Sequence, residues 1–212
     1  SVLEVGANFG EITLELCKKA KRVVSVETKK EKAEAISLRC ADIENLEIFA
    51  GELKTIKIDE KFDYVVALNE EFNSLEEVDK FLKVVKSKLK LDGKAIIAID
   101  NKFGIKYWSG IKKENGILAY ETLTGRKDIV ELSDFQKKLV ENNFKSKIYY
   151  PMPDVNFTNA IYTDEWLPSI EHITLYNRLG NIEFDPSEFS SKQIKNYNVK
   201  QHKQLCKKFE NS

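Results

Sequence analysis

The sequence predicts an α/β fold: a doubly wound, mostly parallel sheet of the Rossmann-like kind, with an aromatic-rich lid region inserted or appended. Three observations predict it. Over the first hundred residues, short β-branched runs alternate with longer stretches of helical period, the pattern of successive βαβ units. The first run passes through a glycine turn, Gly6 to Gly10, straight into a helix. Hydrophobic residues make up 42% of the 212 and charged residues 32%, so the chain can bury a core without covalent staples.

The elements follow in order. Val2 to Val5 is the first strand, and Ile12, Leu16 and Ala20 recur every four residues as the inner face of a first helix. Val23 to Val26 is the second strand, and Ala33, Ile36 and Cys40 face inward from the helix after it. Leu46 to Phe49 and Tyr64 to Leu68 are the third and fourth strands. The clearest stripe is Val78, Phe81, Leu82, Val85 and Leu89, whose helix is expected to stop at Leu91-Asp92-Gly93, with Gly93 left-handed, before a fifth strand at Ala95 to Ile99. Right-handed crossovers of this kind put a ligand at the carboxyl ends of the strands.

Beyond Ile99 the texture changes. Residues 100–128 carry Gly104, Gly110, Gly116 and Gly125 among aromatics and lysines, which reads as a long active-site loop or small insertion. Ser133-Asp134-Phe135-Gln136 has the form of a capping box, and Phe135, Leu139 and Val140 give its helix a buried face. Lys147 to Tyr150 reads as a strand halted by Pro151 and Pro153, and His172 to Tyr176 as another. The organisation expected is a ligand-binding domain over 1–150 and an extension over 151–212 that completes the sheet and covers the acceptor side, with a polar tail from about 180. Ser1 stands directly before a central strand, which suggests a piece of a longer protein.

Thirty-four Lys and Arg balance thirty-four Asp and Glu, so the long-range pull on phosphate or anionic lipid is missing and a general nucleic-acid or membrane-surface role is disfavoured. No run approaches the roughly 20 apolar residues of a membrane span, and no signal peptide is visible. Cys17, Cys40 and Cys206 are odd in number and scattered, which predicts free thiols in a reducing cytoplasm and no metal site.

The strand, turn and helix Val2-Leu3-Glu4-Val5-Gly6-Ala7-Asn8-Phe9-Gly10-Glu11-Ile12-Thr13 is the most informative stretch. A dinucleotide fingerprint begun at Gly6 needs glycines where Asn8 and Glu11 stand, and the Walker pattern is absent. Glu4, Gly6 and Gly10 instead resemble the first motif of class I S-adenosylmethionine-dependent methyltransferases, acidic-x-Gly-x-Gly-x-Gly, with Asn8 in place of the middle glycine. Asn tolerates positive φ well, so the departure is mild. The resemblance implies S-adenosylmethionine as cofactor, held by the loop (Gly6, Ala7, Asn8 and Gly10), with Glu4 toward its cationic side. It places Glu27, with Thr28, on the ribose hydroxyls. Ala50-Gly51-Glu52-Leu53 resembles the family's Gly-acidic step, where Glu52 would meet the adenine amino group beside Leu53, and Leu68-Asn69 would flank the cofactor. Glu70 and Asp100 are the candidate general bases near the strand ends.

Further along, Ala98 to Gly110, Tyr149 to Asp154 and Ile161 to Pro168 resemble a bacterial methyltransferase group associated with surface-polysaccharide assembly and glycosyltransferases. That resemblance implies a small-molecule or glycan acceptor, a glycosyltransferase domain or partner, and an acceptor platform of Tyr107, Trp108 and Tyr149. The group's histidine-containing step is absent, since residues 111–116 read Ile-Lys-Lys-Glu-Asn-Gly. Two alternatives stand beside it. Glu4 to Glu27 also resembles ribosomal RNA adenine dimethyltransferases, although Leu68-Asn69-Glu70-Glu71-Phe72 replaces their amine-gripping motif. The other is a non-catalytic scaffold partnering a glycosyltransferase.

Overall fold

A computed structural model describes residues 1–68, 70–101, 130–152, 155, 156, 158 and 160–166. The chain divides into two compact units, Ser1–Ile99 and Asp100–Ser212.

The first unit contains β1 (Val2–Val5), α1 (Thr13–Lys19), β2 (Val23–Glu27), α2 (Lys30–Arg39), β3 (Leu46–Ala50), β4 (Phe62–Ala67), α3 (Leu75–Lys88) and β5 (Leu89–Ile97). Its five strands are all parallel and run in the order β3-β2-β1-β4-β5. Every residue of β1 and β2 is buried, as expected of central strands covered on both faces, whereas the outer strands β3 and β5 are mostly half-buried or exposed. Val2 pairs with Val23 on one side and Tyr64 on the other, so β1 sits at the centre of the sheet. Helix α3 lays Val78, Leu82 and Val85 against the sheet, all fully buried. Its start is fixed by Ser74, whose hydroxyl accepts the Glu77 N–H at 3.2 Å, while Glu77 reaches back to the Asn73 N–H at 2.8 Å.

Gly93 is not the left-handed stop expected of it. Helix α3 gives way directly to β5 at Leu89, and Gly93 lies inside that strand without positive φ. Two steps along β4, from Phe62 to Tyr64, face five along β5, from Leu89 to Lys94, so β5 bulges there. A Cβ on Gly93 would lie 2.9 Å from the Phe62 carbonyl oxygen, so glycine is required by close backbone approach.

Ion pairs gather where the strands begin. Arg22, just before β2, donates to Glu47 and to Glu60, each at 2.6 Å. Lys90 reaches Asp63 at 2.9 Å and holds its carboxyl well below the usual range.

The second unit contains α4 (Leu132–Glu141) and a separate two-stranded antiparallel sheet of β6 (Tyr149–Met152) and β7 (Ala160–Thr163). Three expectations are corrected here. Helix α4 starts early enough to make Glu131 its N-cap, without a side-chain cap, so Ser133 is already helical and forms no capping box. Phe135 and Leu139 are buried one turn apart, but Val140 falls off that stripe and is 71% exposed. Pro151 does not halt the strand; it pairs with Ile161 inside β6, tolerated because a two-stranded sheet has open edges. The Tyr150 hydroxyl donates to Asp164 at 2.6 Å, and burial together with that carboxylate pushes the phenol up to about 12. The expected lid, the strand at 172–176 and the tail lie outside the described residues. Among the described residues no helix is long and apolar enough to cross a membrane.

Candidate functional site

The chain winds outward in opposite directions from β1 and β4, which makes the carboxyl ends of these neighbours the topological switch point of the sheet. The turn leaving β1 occupies that point. Gly6, Asn8 and Gly10 all have positive φ (66°, 53° and 76°), so the substitution of Asn8 for a glycine keeps the left-handed backbone that the resemblance implies. The turn is pinned to β2: the Gly6 N–H donates to the Val26 carbonyl at 3.0 Å, and the Asn8 N–H to Glu27 Oε2 at 2.8 Å. Ala7 is buried against Ile36 and Cys40. A Cβ on Gly10 would lie 3.3 Å from Ile36, so this glycine lets the loop close onto α2.

Glu4, Glu27 and Glu70 bring three partly or fully buried carboxyl groups to this end of the unit. Glu4, on β1, is 1% exposed, and its Oε2 accepts the hydroxyls of Thr13 (2.7 Å) and Ser25 (2.9 Å). Among the described residues its Oε1 is buried without a hydrogen-bond partner. Burial pushes the Glu4 carboxyl up, partly offset by the two hydroxyls, with Glu11 and Glu27 adding repulsion. Glu27, at the tip of β2, is 4% exposed; beyond the Asn8 N–H, its Oε1 accepts the Lys29 N–H at 2.9 Å and the Thr28 hydroxyl at 3.2 Å. A carboxylate offers about four lone-pair sites, so Oε2 retains capacity. Glu70, after β4, is half-buried, and burial followed by repulsion from Glu27 pushes its carboxyl up. A sheet end that gathers these acids beside backbone donors is suited to a cationic, hydroxyl-bearing ligand and unsuited to a phosphate.

The remaining candidates are placed as follows. Leu68 packs against the cluster of Val2, Cys17, Val23 and Val66. Leu53 is buried, and the Gly51 N–H ties its loop to the Glu27 carbonyl at 2.8 Å. Glu52 is exposed and paired with Lys54 at 2.6 Å. Asp100 is exposed and opens the second unit. Tyr149, also in that unit, is 57% exposed, with the Lys147 ammonium 5.6 Å from its ring centre. Asn69, Tyr107 and Trp108 lie outside the described residues. Among the described residues no cluster of His, Cys, Asp and Glu could hold a metal.

Sequence reasoning missed four contributors. Ser25 is the polar residue within the buried run Val23-Val24-Ser25-Val26, and a buried hydroxyl calls for a partner; together with Thr13 it serves Glu4. Lys32 and Arg39 of α2 bind the loop from outside, at the Asn8 side-chain oxygen and the Phe9 carbonyl. Their seven-residue spacing, about two helical turns, puts them on one face and was the available signal.

Residues 2–93 match the model of a family described as a methyltransferase domain. Among solved structures, the chain is similar to an S-adenosylmethionine-dependent methyltransferase from Clostridium acetobutylicum ATCC 824, at TM-score 0.56 and 16% identity, over 76% of this chain and 80% of that one. It is similar to a mycolic acid cyclopropane synthase complexed with SAH, at TM-score 0.55 and 18% identity, over 71% of this chain and 56% of that one. A third likeness is to a DhpI–SAH complex, at TM-score 0.51 and 17% identity, over 69% of each chain. No curated protein matches the sequence. The fold is the Rossmann-like methyltransferase fold, a parallel five-stranded sheet with flanking helices.

Proposed function

We propose that this chain transfers a methyl group from S-adenosylmethionine to a small-molecule or glycan acceptor. The cofactor is implied by the methyltransferase domain matched over residues 2–93 and by the SAH-bound neighbours of the same fold. The observation that carries the reading is the buried, unpartnered Oε1 of Glu4 beneath a left-handed loop, with Glu27 beside it. The residues present fit the group. The loop from Gly6 to Gly10 offers backbone donors to an α-carboxylate, and Glu4 gives negative charge beneath a cationic ligand. Glu27, with Thr28, has acceptor capacity for ribose hydroxyls. Leu53 and Leu68 would supply apolar contact, and Glu52 would exchange Lys54 for the amino group that the resemblance assigns to it.

When bound, S-adenosylmethionine supplies an activated methyl group on a sulfonium, with a neutral thioether as leaving group. The chain's own part is largely positioning. Thr13 and Ser25 hold Glu4 in one rotamer, and the Asn8 N–H holds Glu27. Glu70 is the candidate base: burial and the neighbouring Glu27 make it a better proton acceptor than an exposed carboxylate. Asp100 is the second candidate. The acceptor class and a role in surface-polysaccharide assembly, with a glycosyltransferase domain or partner in the cytoplasm, are supported by the sequence resemblance of residues 98–110, 149–154 and 161–168. Tyr107, Trp108 and Tyr149 would stack on a sugar ring.

Calorimetry with S-adenosylmethionine and S-adenosylhomocysteine tests the cofactor, and saturable one-to-one binding of both is expected. Methyl incorporation into glycans and sugar nucleotides, against structured RNA as control, tests the acceptor. No binding of either cofactor form would overturn the reading. Methylation of RNA adenine alone would replace the glycan acceptor.

A further inference from the structure

Helix α2 presents one ridge to the glycine loop. Lys32, Ile36 and Arg39 recur at i, i+4 and i+7, a spacing that lines up on a single helical face. Ile36 lies where a Cβ on Gly10 would meet it, 3.3 Å away, and Arg39 donates to the Phe9 carbonyl. The Lys32 ammonium donates to Asn8 Oδ1 and stands 5.1 Å from the centre of the exposed Phe9 ring. The Asn8 side chain is held from its other side as well, since its Nδ2 donates to Glu11 at 3.0 Å. Its main chain, left-handed at φ 53°, delivers its N–H to Glu27 at 2.8 Å.

We propose that Asn8 and Lys32 form a clasp that sets the glycine loop in its cofactor-ready shape, making Asn8 a positioning residue rather than a stand-in for glycine. The inference rests on the cofactor reading above. A glycine at position 8 would reach the same φ without strain but would also roam over many other conformations. The clasp removes that freedom before the ligand arrives, and binding is tighter when the ordering cost is met in advance. Glu27 is then aimed by the loop, because one of its oxygens is already committed to the Asn8 N–H.

The test is calorimetric titration of the whole chain with S-adenosylhomocysteine, with thermal melting of each variant as a check on folding. Asn8→Gly and Lys32→Met should each weaken binding about 3- to 10-fold, the range for a half-buried polar clasp acting through preorganisation. The double variant should be no weaker than the poorer single one by more than about twofold, because both remove the same clasp. Lys32→Arg keeps a cationic donor for the Asn8 side-chain oxygen and leaves the Asn8–Glu11 bond untouched, so it should hold affinity to within about threefold of wild type. If Asn8→Gly fails to fold, Lys32→Met, which keeps the side chain's aliphatic length, carries the same test. Wild-type affinity in folded Asn8→Gly, or losses that multiply in the double variant, would overturn the clasp while leaving the cofactor reading intact. A wild-type chain that takes up no S-adenosylhomocysteine would overturn the cofactor reading and the clasp with it.

Discussion

Replacing Thr13 with valine keeps the shape of a fully buried side chain and deletes one of the two hydroxyls on Glu4. A hydrogen bond to a charged group contributes about 1.5–3 kcal/mol, a neutral one about 0.5–1.5. The loss should therefore depend on whether Glu4 is ionised. Burial raises the Glu4 pKa above its ordinary 4.5, and the Thr13 hydroxyl pulls it back down. Without that hydroxyl the native state holds its proton to still higher pH, while the unfolded chain is unchanged. Once wild-type Glu4 begins to ionise, the variant's native state binds more protons than wild type does, so its deficit grows as pH rises through a window that lies above 4.5, between the raised native values of the two proteins. At about 2–4 °C per kcal/mol for a chain of this size, the melting temperature should fall by about 3–12 °C on the alkaline side of that window, and by about 1–6 °C on the acid side. Thermal unfolding of both proteins without cofactor, from acid to mildly alkaline pH, measures this. Equal deficits at both ends, or a larger one in acid, would refute the account of Glu4 as a raised carboxyl restrained by Thr13.

Gly10→Ala should cost about 1–2 kcal/mol from its left-handed backbone alone, and more from contact with Ile36, seen as a lower urea midpoint with weaker S-adenosylhomocysteine binding. Glu27→Ala should weaken the cofactor by about 1.5–3 kcal/mol; a deoxyribose analogue that binds wild type as well as the natural cofactor would contradict the ribose role. Arg22→Ala, which strips Glu47 and Glu60 of their partner at a half-exposed site, should cost no more than about 1 kcal/mol and nothing measurable near 1 M salt.

Most of the first unit was legible because its central strands are largely apolar and α3 carries a clean period. Val2–Val5 stands as expected, and β2 and β3 extend one residue further. The β5 boundary was misread because Leu91-Asp92-Gly93 has the composition of a helix stop, while the feature that fixes it, contact between Gly93 and the Phe62 carbonyl, joins residues far apart in sequence. Ser133 failed for a similar reason: a capping box specifies a local bond, and the helix simply begins earlier. Within the candidate site, Glu4, Asn8 and Glu27 came into view through the resemblance of the loop motif and the strand that follows it. Their partners were not, since hydroxyls and lysines are common and only the fold brings Thr13, Ser25 and Lys32 beside them.

The sheet is electrically lopsided along its strands. Where they begin, Arg22 pairs with Glu47 and Glu60 and Lys90 with Asp63; where they end, Glu4, Glu27 and Glu70 share a neighbourhood in which their charges oppose. Heritable change should consequently fall into two separable currents. Exchanges among the leading-edge charges alter how long the protein survives heat or salt and leave its ligand alone. Exchanges at the trailing edge relieve a standing repulsion, so some will harden the protein while costing it its ligand. A selection for thermal endurance alone would therefore be expected to erode Glu70 before Arg22, and one run with ligand present would retain both.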